Sequence, residues 1–303
     1  MVWLALITVY VVWGSTYFAI ALVVQSMPPL LTAGIRFLVA GLILAAYLGV
    51  RYRASLAVTR RQLAGSAAVG VLLLAGGNGL VSLGERTVPS GLAALIVASI
   101  PLWIVILRLI AGDTVRRDII LGVCIGIVGV AVLVVPSGIS GQVGPIGLAM
   151  LLGASLLWAT GTYISTRVDM PRGAFASTAY QMIAGGLVLL IAGPLLGELR
   201  DLDFAKFTVA SLAGFGYLVV FGSLIAYSAY TWLLQNAPVS LVATYAYVNP
   251  VVAVFLGTLF LAEPITRTML AGAALILAAV AFIVRRSAGR VPAATRAVAS
   301  RSA

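Results

Sequence analysis

Long apolar runs alternate with short polar breaks from residue 2 to residue 284 of the chain. The hydrocarbon core of a bilayer is about 30 Å thick, and a helix rising about 1.5 Å per residue crosses it in about 20 residues. Short segments of alternating hydrophobicity, typical of a β-barrel, do not occur. The pattern predicts ten transmembrane helices, over residues 2–24, 29–50, 63–84, 88–111, 119–136, 144–166, 173–197, 208–233, 239–262 and 268–284.

The composition supports an all-α integral membrane protein. The 303 residues are 62% hydrophobic and only 9% charged, and their mean hydropathy is +1.14. An average soluble domain carries about 25% charged residues. The longest polar segments are residues 51–62, 198–207 and the tail from residue 285, so no soluble domain is predicted.

The basic residues are distributed unequally over the two predicted sides of the membrane. Of the 19 Lys and Arg residues, 14 fall on the side of both termini, Arg36 falls within a helix, and four fall on the opposite side: Arg86, Arg200, Lys206 and Arg267. This is the positive-inside pattern, which predicts a multi-pass protein of the cytoplasmic (inner) membrane with cytoplasmic N- and C-termini. The net charge of +11 therefore needs no nucleic-acid partner, and the basic tail 285–303 is interpreted as a topology signal rather than a lipid-headgroup site.

The two halves of the chain are similar to each other. At an offset of 145, Trp13 aligns with Trp158 and RFLVAGLIL (36–44) with QMIAGGLVL (181–189); at an offset of 149, Pro101 aligns with Pro250. The chain is therefore interpreted as a duplication, with repeats at 1–136 and 144–284. Each repeat holds five helices, an odd number, so the second repeat is predicted to be inverted, as in many secondary transporters.

Four segments carry a resemblance to a known family: WGSTYFAI, PPLLTAGIRFLVAGLIL, GNGLVSLGERTVPSGLAAL and YVNPVVAVFLGTLFLAEPIT. They resemble the EamA family of the drug/metabolite transporter superfamily, and within it most of all the YedA-type bacterial inner-membrane transporters. The resemblance extends over residues 3–284. It implies ten helices, cytoplasmic termini and a substrate cavity between the halves, lined mainly by helices one, three, four, six, eight and nine. It specifies the fold better than the cargo, because the family's substrates range from amino acids and nucleosides to drugs.

Polar and aromatic residues interrupt the middle of runs one and six. The candidates for cavity lining are Trp13, Ser15, Thr16 and Tyr17 in run one, and Trp158, Thr160 and Tyr163 in run six. The alternative is helix packing, in which small residues allow close approach and hydroxyls bond across the contact. Trp and Tyr usually lie at the membrane interfaces, so a Trp at mid-depth favours the cavity.

Prolines occupy matching places near the midpoints of runs four and nine. Pro101 and Pro250 each remove a helical hydrogen bond, which predicts broken helices whose free carbonyls face an internal cavity. A packing kink is the alternative for either proline taken alone. Run nine is also the more polar wall, because Asn249 adjoins Pro250 and three further candidates precede it: Thr244, Tyr245 and Tyr247.

An uncharged amide lies about two-thirds of the way along run three. Because an unsatisfied amide in hydrocarbon costs several kcal/mol, Asn78 is expected to face protein, water or cargo. The repeat places run eight opposite it, where Tyr227 and Tyr230 are further candidates. Bonding between helices is the alternative for each of them.

Two charged pairs are candidate gates. Arg36 lies about 10 Å inside run two, and an ion pair with Glu85 is hypothesised as the outer gate, with snorkelling of Arg36 to the surface as the alternative. Arg108 and Asp113 mark the inner gate. Asp113 and Glu263 follow runs four and nine at equivalent places, and each is predicted to mark a helix end and to pair with a nearby Arg.

The chain lacks the groups that most membrane enzymes need. It contains no His, and its eight acids all fall in loops or at helix ends, so no catalytic triad, metal site, cofactor or buried proton relay is predicted. The sequence predicts a secondary transporter, not an enzyme, that moves small metabolites or drugs, with efflux favoured by the resemblance, by alternating access. A flippase or carrier for a lipid-linked substrate is the alternative, and a non-transporting scaffold is third. The expected partners are a small-molecule substrate and membrane lipids, with a monomer or homodimer and the coupling ion left open.

Overall fold

The computed structural model describes residues 1–139, 143–200, 202–242 and 244–288, and the regular structure in these ranges is entirely helical. Ten segments follow one another along the chain: α1 Val2–Val24, α2 Pro29–Arg51, α3 Arg60–Gly84, α4 Ser90–Ile110, α5 Arg117–Ile139, α6 Pro145–Ser165, α7 Ala174–Leu195, α8 Val209–Asn236, α9 Val239–Val242 and Tyr245–Leu261, and α10 Arg267–Ala288. Within the described ranges nine are long and apolar enough to cross a bilayer, and Tyr245–Leu261 is a shorter apolar helix. The predicted all-helical membrane fold is confirmed. Most of the predicted basic tail, 289–303, lies outside the described residues.

The outer surface of the helix bundle is apolar, as lipid contact requires. Large apolar side chains are exposed on several helices, among them Trp3 on α1 (67%), Leu42 on α2 (52%) and Phe255 on α9 (63%). Since the helices alternate in direction, the loops after α2, α4, α6 and α8 lie at the end of the bundle where α1 begins, here called the N-terminal side. The loops after the odd-numbered helices lie on the other end, here called the far side.

Helices pair closely across the two halves where glycine removes the side chain. α2 packs most extensively against α7, and α5 against α10. A Cβ atom at Gly186 of α7 would lie 2.7 Å from the Leu38 nitrogen of α2, and one at Gly272 of α10 would lie 2.5 Å from the Leu133 side chain of α5. Small residues at such contacts allow the backbones to approach, which supplies packing energy that hydrophobicity alone does not give within a bilayer.

Two helices are interrupted near mid-depth. In α4 the helix Ser90–Val97 ends and a second one, Ile100–Ile110, begins with Pro101 in its first turn. In α9 the two helical pieces are separated between Val242 and Tyr245, and Pro250 lies inside the second piece. The broken helix predicted from Pro101 is therefore found at that proline. The prediction that Pro250 itself breaks run nine is wrong, because the break falls upstream and Pro250 is accommodated within the helix.

Three helices contain wide turns in which N–H groups bond to the carbonyl five residues back. These π-helical turns are Val9–Trp13 in α1, Val71–Asn78 in α3 and Leu218–Tyr227 in α8. The stretches in α3 and α8 overlap at the offset of 149 found in the sequence. Such turns are rare and occur frequently at functional sites. Here they contain Trp13, Asn78 and Tyr227, three of the predicted site residues.

Candidate functional site

A cavity lies at mid-depth between α1, α2, α3, α4, α6 and α9. Six of the predicted substrate-binding residues line it: Trp13, Thr16, Tyr17, Asn78, Trp158 and Asn249. Arg36, predicted as a gate residue, lines it too. Helices from both sequence halves form the wall of this cavity, which we call the central cavity.

The floor of the central cavity is a cluster of five aromatic rings, here called the aromatic layer: Trp13, Trp158, Tyr227, Tyr230 and Tyr245. Trp13 contacts all four others, with ring centroids 4.8 Å from Tyr230, 5.4 Å from Trp158, 5.5 Å from Tyr245 and 6.3 Å from Tyr227. Edge-to-face and offset ring pairs stabilise such clusters by about 0.5–1.5 kcal/mol each beyond the area they bury. The layer joins α1, α6, α8 and α9 into one contact.

A second cavity of about 290 Å³ lies on the N-terminal side of the aromatic layer. Pro101 and Tyr230 line it, Ile100 and Tyr245 border both cavities, and Trp13 borders only the central one. The rings of Trp13, Tyr230 and Tyr245 therefore stand between two internal spaces. A solute that passed along the bundle axis would have to displace them.

Hydrogen bonds hold the polar wall in place. The Trp13 indole N–H donates to the Gly222 carbonyl at 3.3 Å, and the Thr16 hydroxyl donates to the Trp13 carbonyl at 2.6 Å. The Asn249 amide, with its nitrogen turned towards them, donates to the carbonyls of Tyr10 and Tyr245 at 3.2 Å each. By contrast, the buried indole N–H of Trp158 has no hydrogen-bond acceptor among the described residues.

Arg36 is buried beside the central cavity, with 3% of its surface exposed. Its Nε donates to the Ser223 hydroxyl at 2.8 Å, and Nη1 reaches the Asn78 carbonyl oxygen at 3.4 Å. The snorkelling alternative is therefore wrong. The predicted ion pair with Glu85 is also wrong. Arg36 lies level with Asn78, and Glu85 follows Asn78 by seven residues, or about 10 Å along α3. Neither Glu85 oxygen has a hydrogen-bond partner among the described residues.

Several predicted lining residues point away from the central cavity. Ser15 bonds to the Val12 carbonyl and the Tyr217 hydroxyl, Thr160 donates to the Leu156 carbonyl of its own helix, and Tyr247 donates to the Val280 carbonyl of α10. The Tyr163 ring is covered by the Arg167 guanidinium at 3.6 Å.

Five further predicted residues lie close to the central cavity without lining it. The Tyr227 hydroxyl donates to Gln181, and Thr244 bonds with the Tyr10 hydroxyl. Tyr230 bonds with Thr162 and lines the second cavity with Pro101, and Pro250 is buried within α9. Tyr227 and Tyr230 contribute to the aromatic layer, so run eight shapes the site through its rings rather than through its hydroxyls.

The loops on the N-terminal side contain the predicted Arg108–Asp113 pair, with Arg108 Nε 3.4 Å from Asp113 Oδ2. Arg167 adds a second contact to the same oxygen at 2.8 Å. Arg108 and Asp113 belong to the first half of the chain and Arg167 to the second, so the ion pair joins the halves. All three side chains are 31–44% exposed, and exposed pairs contribute only about 0–1 kcal/mol.

Carboxylates bind helix N-termini on the far side. Glu263 accepts hydrogen bonds from the backbone N–H groups of Ser90 and Gly91 at 2.7 and 2.9 Å. Glu198 accepts from Leu30 and Leu31 at 2.9 and 2.8 Å. The prediction that Glu263 pairs with an Arg is therefore wrong: it caps α4 instead, where orphan N–H groups and the positive end of the helix dipole attract a carboxylate.

Sequence reasoning did not name four residues of the central cavity wall: Ile20, Val81, Val97 and Ile100. These aliphatic residues carry no signal, because the same residue types face lipid elsewhere in these helices. It also missed Ser223, the partner of Arg36.

Comparisons with known proteins agree with this arrangement. The EamA-like transporter family matches residues 1–135 and 145–285. The protein named uncharacterized inner membrane transporter YedA of Escherichia coli is 43% identical over 259 residues, covering 84% of this chain and 81% of that protein. A probable amino-acid metabolite efflux pump of Salmonella typhimurium is 27% identical, covering 94% and 96%.

A solved crystal structure with 18% identity shares the fold, with a TM-score of 0.66, and the match covers 94% of this chain and 97% of that one. At this level of identity the structural match supports the fold alone. The family match and the relative at 43% identity carry the assignment. This chain is a multi-pass membrane protein and belongs to the EamA-like transporter family.

Proposed function

We propose that this protein is a secondary transporter that exports a small amphipathic metabolite or drug across the cytoplasmic membrane. The observation that carries the proposal is the central cavity, which helices of both sequence halves enclose at mid-depth. Its wall is mostly aromatic and aliphatic, with a few polar side chains, as is typical of small-molecule sites. Aromatic faces with a few fixed polar groups suit a small solute better than a lipid.

The proposed mechanism is alternating access. The aromatic layer and the Asp113–Arg167 pair close the N-terminal side, and the Glu198 and Glu263 contacts hold the far side together. Rocking of the two halves would open one side while the other stays closed, as in transporters with inverted repeats.

The proposed orientation places the N-terminal side in the cytoplasm, because the predicted topology assigns 14 of the 19 basic residues to that side. The name of the Salmonella typhimurium relative, a probable amino-acid metabolite efflux pump, supports export as the direction. The family assignment supports transport rather than catalysis.

The test is transport by the purified protein in liposomes, screened against metabolites and drugs with and without an imposed pH gradient. Trp13→Ala removes the ring at the centre of the aromatic layer, and we expect it to raise KM roughly 3- to 10-fold, the effect of about 0.5–1.5 kcal/mol of lost ring contact. Asn249→Ala is expected to raise KM too. Matched controls are Trp3→Ala, on the exposed face of the same helix, and Asn236→Ala, at the exposed end of α8.

Unchanged kinetics in the Trp13 and Asn249 variants, with normal membrane insertion and thermal stability, would contradict the cavity assignment. A fluorescent lipid that changes leaflet at a protein-dependent rate, with no solute transported, would support the flippase alternative instead.

A further inference from the structure

The charge of Arg36 has no anionic partner among the described residues. Its two hydrogen-bond partners, Ser223 and Asn78, are both uncharged. In the described ranges no ion pair within 4.0 Å involves Arg36. The Phe37 ring lies 4.6 Å from the guanidinium carbon and offsets part of the cost of burial. A buried cation without an anionic partner is costly in a membrane, and such residues commonly mark a ligand or ion path.

The Arg36 guanidinium also has more hydrogen-bond donors than the described residues satisfy. It carries five N–H donors, and two hydrogen bonds are formed within the described structure. Gly222 leaves the space beside it: a Cβ atom there would lie 2.9 Å from Nη2. A planar fork with free donors is the group that binds a carboxylate in bidentate geometry.

The acids of the described ranges form no ion pair with Arg36, and three of them are exposed or bound in loops and at a helix start: Asp118, Asp169 and Asp203. Glu198 and Glu263 bind helix N-termini, and Asp113 binds Arg108 and Arg167. Glu85 lies about 10 Å farther along α3. An anionic group for Arg36 therefore has to arrive with the ligand.

We propose that Arg36 is the anion-binding residue of the central cavity and that the cargo is an organic carboxylate with an aromatic or apolar body. The carboxylate would bind the free guanidinium donors, and the body would lie on the Trp13, Trp158 and Tyr245 rings of the same wall. This inference rests on the proposed function, because it names the chemical class of the transported solute.

The experiment compares matched pairs that differ only in charge: phenylacetate with phenylacetamide, and indole-3-acetate with indole-3-acetamide. Binding to the purified protein is measured by calorimetry, and uptake is measured in liposomes. We expect each carboxylate to bind about 10-fold or more tightly than its amide, the usual strength of a hydrogen bond to a charged group. Arg36→Gln should weaken binding of the carboxylate much more than binding of the amide and bring the two affinities within about 3-fold, while Arg36→Lys, which keeps the charge without the planar fork, should fall between.

The matched control is Arg51→Gln, because Arg51 is the exposed last residue of the same helix. Equal affinity for carboxylate and amide in the unmodified protein, a preference that survives Arg36→Gln, or binding of neither member of any pair would each overturn the inference. If Arg36→Gln fails to fold, the pair comparison in the unmodified protein and in Arg36→Lys decides.

Failure of the proposed function has a different signature. Carboxylate binding with no transport of any solute would contradict the transporter proposal and leave the anion site standing. Transport of neutral solutes without binding of any carboxylate would overturn the anion site and leave the transporter proposal standing.

Discussion

Glu85 is an acid that the fold buries without a partner. It lies one residue beyond the end of α3, only 6% of its surface is exposed, and neither carboxyl oxygen accepts a hydrogen bond from a described residue. Burial raises the pKa of Glu85 well above its ordinary value, and the like charge of Glu263 raises it further. The Tyr17 hydroxyl also interacts electrostatically with Glu85. A carboxyl group in this setting favours its neutral form.

Replacing Glu85 with Gln should therefore remove a pH-dependent loss of stability. Above about pH 4.3, the ordinary pKa of Glu, the unfolded chain releases this proton while the folded protein retains it, so folding stability falls as the pH rises towards the folded-state pKa. Glu85→Gln has no proton to release. We expect its apparent Tm in detergent to equal that of the unmodified protein near pH 4 and to exceed it increasingly at higher pH, by roughly 2–4 °C for each kcal/mol.

Asp169→Asn, at an exposed position in the loop after α6, is the matched control and should leave the Tm profile parallel to that of the unmodified protein. If the Tm of Glu85→Gln also changed with pH in parallel with that of the unmodified protein, Glu85 would ionise like a surface acid, contrary to its burial.

Individual residues also show what the sequence could and could not predict about the site. Depth along a helix follows from counting residues, and the mid-depth prediction for Trp13, Asn78 and Asn249 agrees with the central cavity. Rotation about the helix axis does not follow from the count. Ser15 and Tyr247 have similar depths to lining residues, yet they point to neighbouring helices because a step of one or two residues turns a side chain by 100–200°, as about 3.6 residues per turn requires.

At the scale of helices, the far side is held by two carboxylate caps that connect the halves of the chain. Glu198, which follows α7, binds two N–H groups at the start of α2, and Glu263, which follows α9, does the same for α4. In each case an acid from the second half satisfies a helix of the first. The hydrogen bonds and the helix dipole act together, so these contacts should exceed ordinary surface ion pairs in strength.

Glu198→Gln and Glu263→Gln are each expected to destabilise the protein by about 1–3 kcal/mol, because each removes a charge and one acceptor from two buried donors. The two sites cap different helices, so we expect the losses to add in the double variant. Asp203→Asn is the control, since Asp203 caps only a short turn of its own loop and is largely exposed. Losses in apparent Tm no larger than that of Asp203→Asn would contradict a stabilising role for the caps.

Hydropathy predicted the helices themselves well. The predicted run 208–233 corresponds to the helix Val209–Asn236, and the predicted run 63–84 corresponds to Arg60–Gly84. The π-helical turns and the break before Tyr245 were not predictable in this way, because a change in backbone hydrogen bonding leaves the apolar character of the segment unchanged. Pro250 shows the same limit: the residue that usually breaks a helix sits inside one, while the break falls upstream.

For the whole molecule, the two halves of the chain contact each other on both sides of the central cavity. On the far side, Ser26, after α1, donates a hydrogen bond to Ser211, near the start of α8, with 2.8 Å between their oxygens. On the N-terminal side, Asp113 and Arg167 meet. Alternating access requires one of these sides to separate while the other remains closed.

A disulfide across the far side should therefore stop transport. With the exposed Cys124 replaced by Ala, Ser26→Cys and Ser211→Cys place two thiols where hydroxyls already touch, a separation compatible with the roughly 3.5–4.5 Å between the Cβ atoms of a disulfide. We expect oxidation to abolish uptake in liposomes and reduction to restore it. The control pair is Thr208→Cys with Ser211→Cys, whose oxygens are 2.9 Å apart within the start of α8. That bond would form inside one half, so its oxidation should leave transport unchanged.

The comparison of the two pairs separates motion between the halves from damage to α8, because both place a disulfide on residue 211. Loss of transport in both oxidised variants would point to local distortion. Full transport by the Ser26–Ser211 variant, with the bond verified by mass, would mean that these segments move together and that the far side opens elsewhere. Loss confined to the cross-half pair would identify the contact between the α1 end and the start of α8 as one that has to part in each transport cycle.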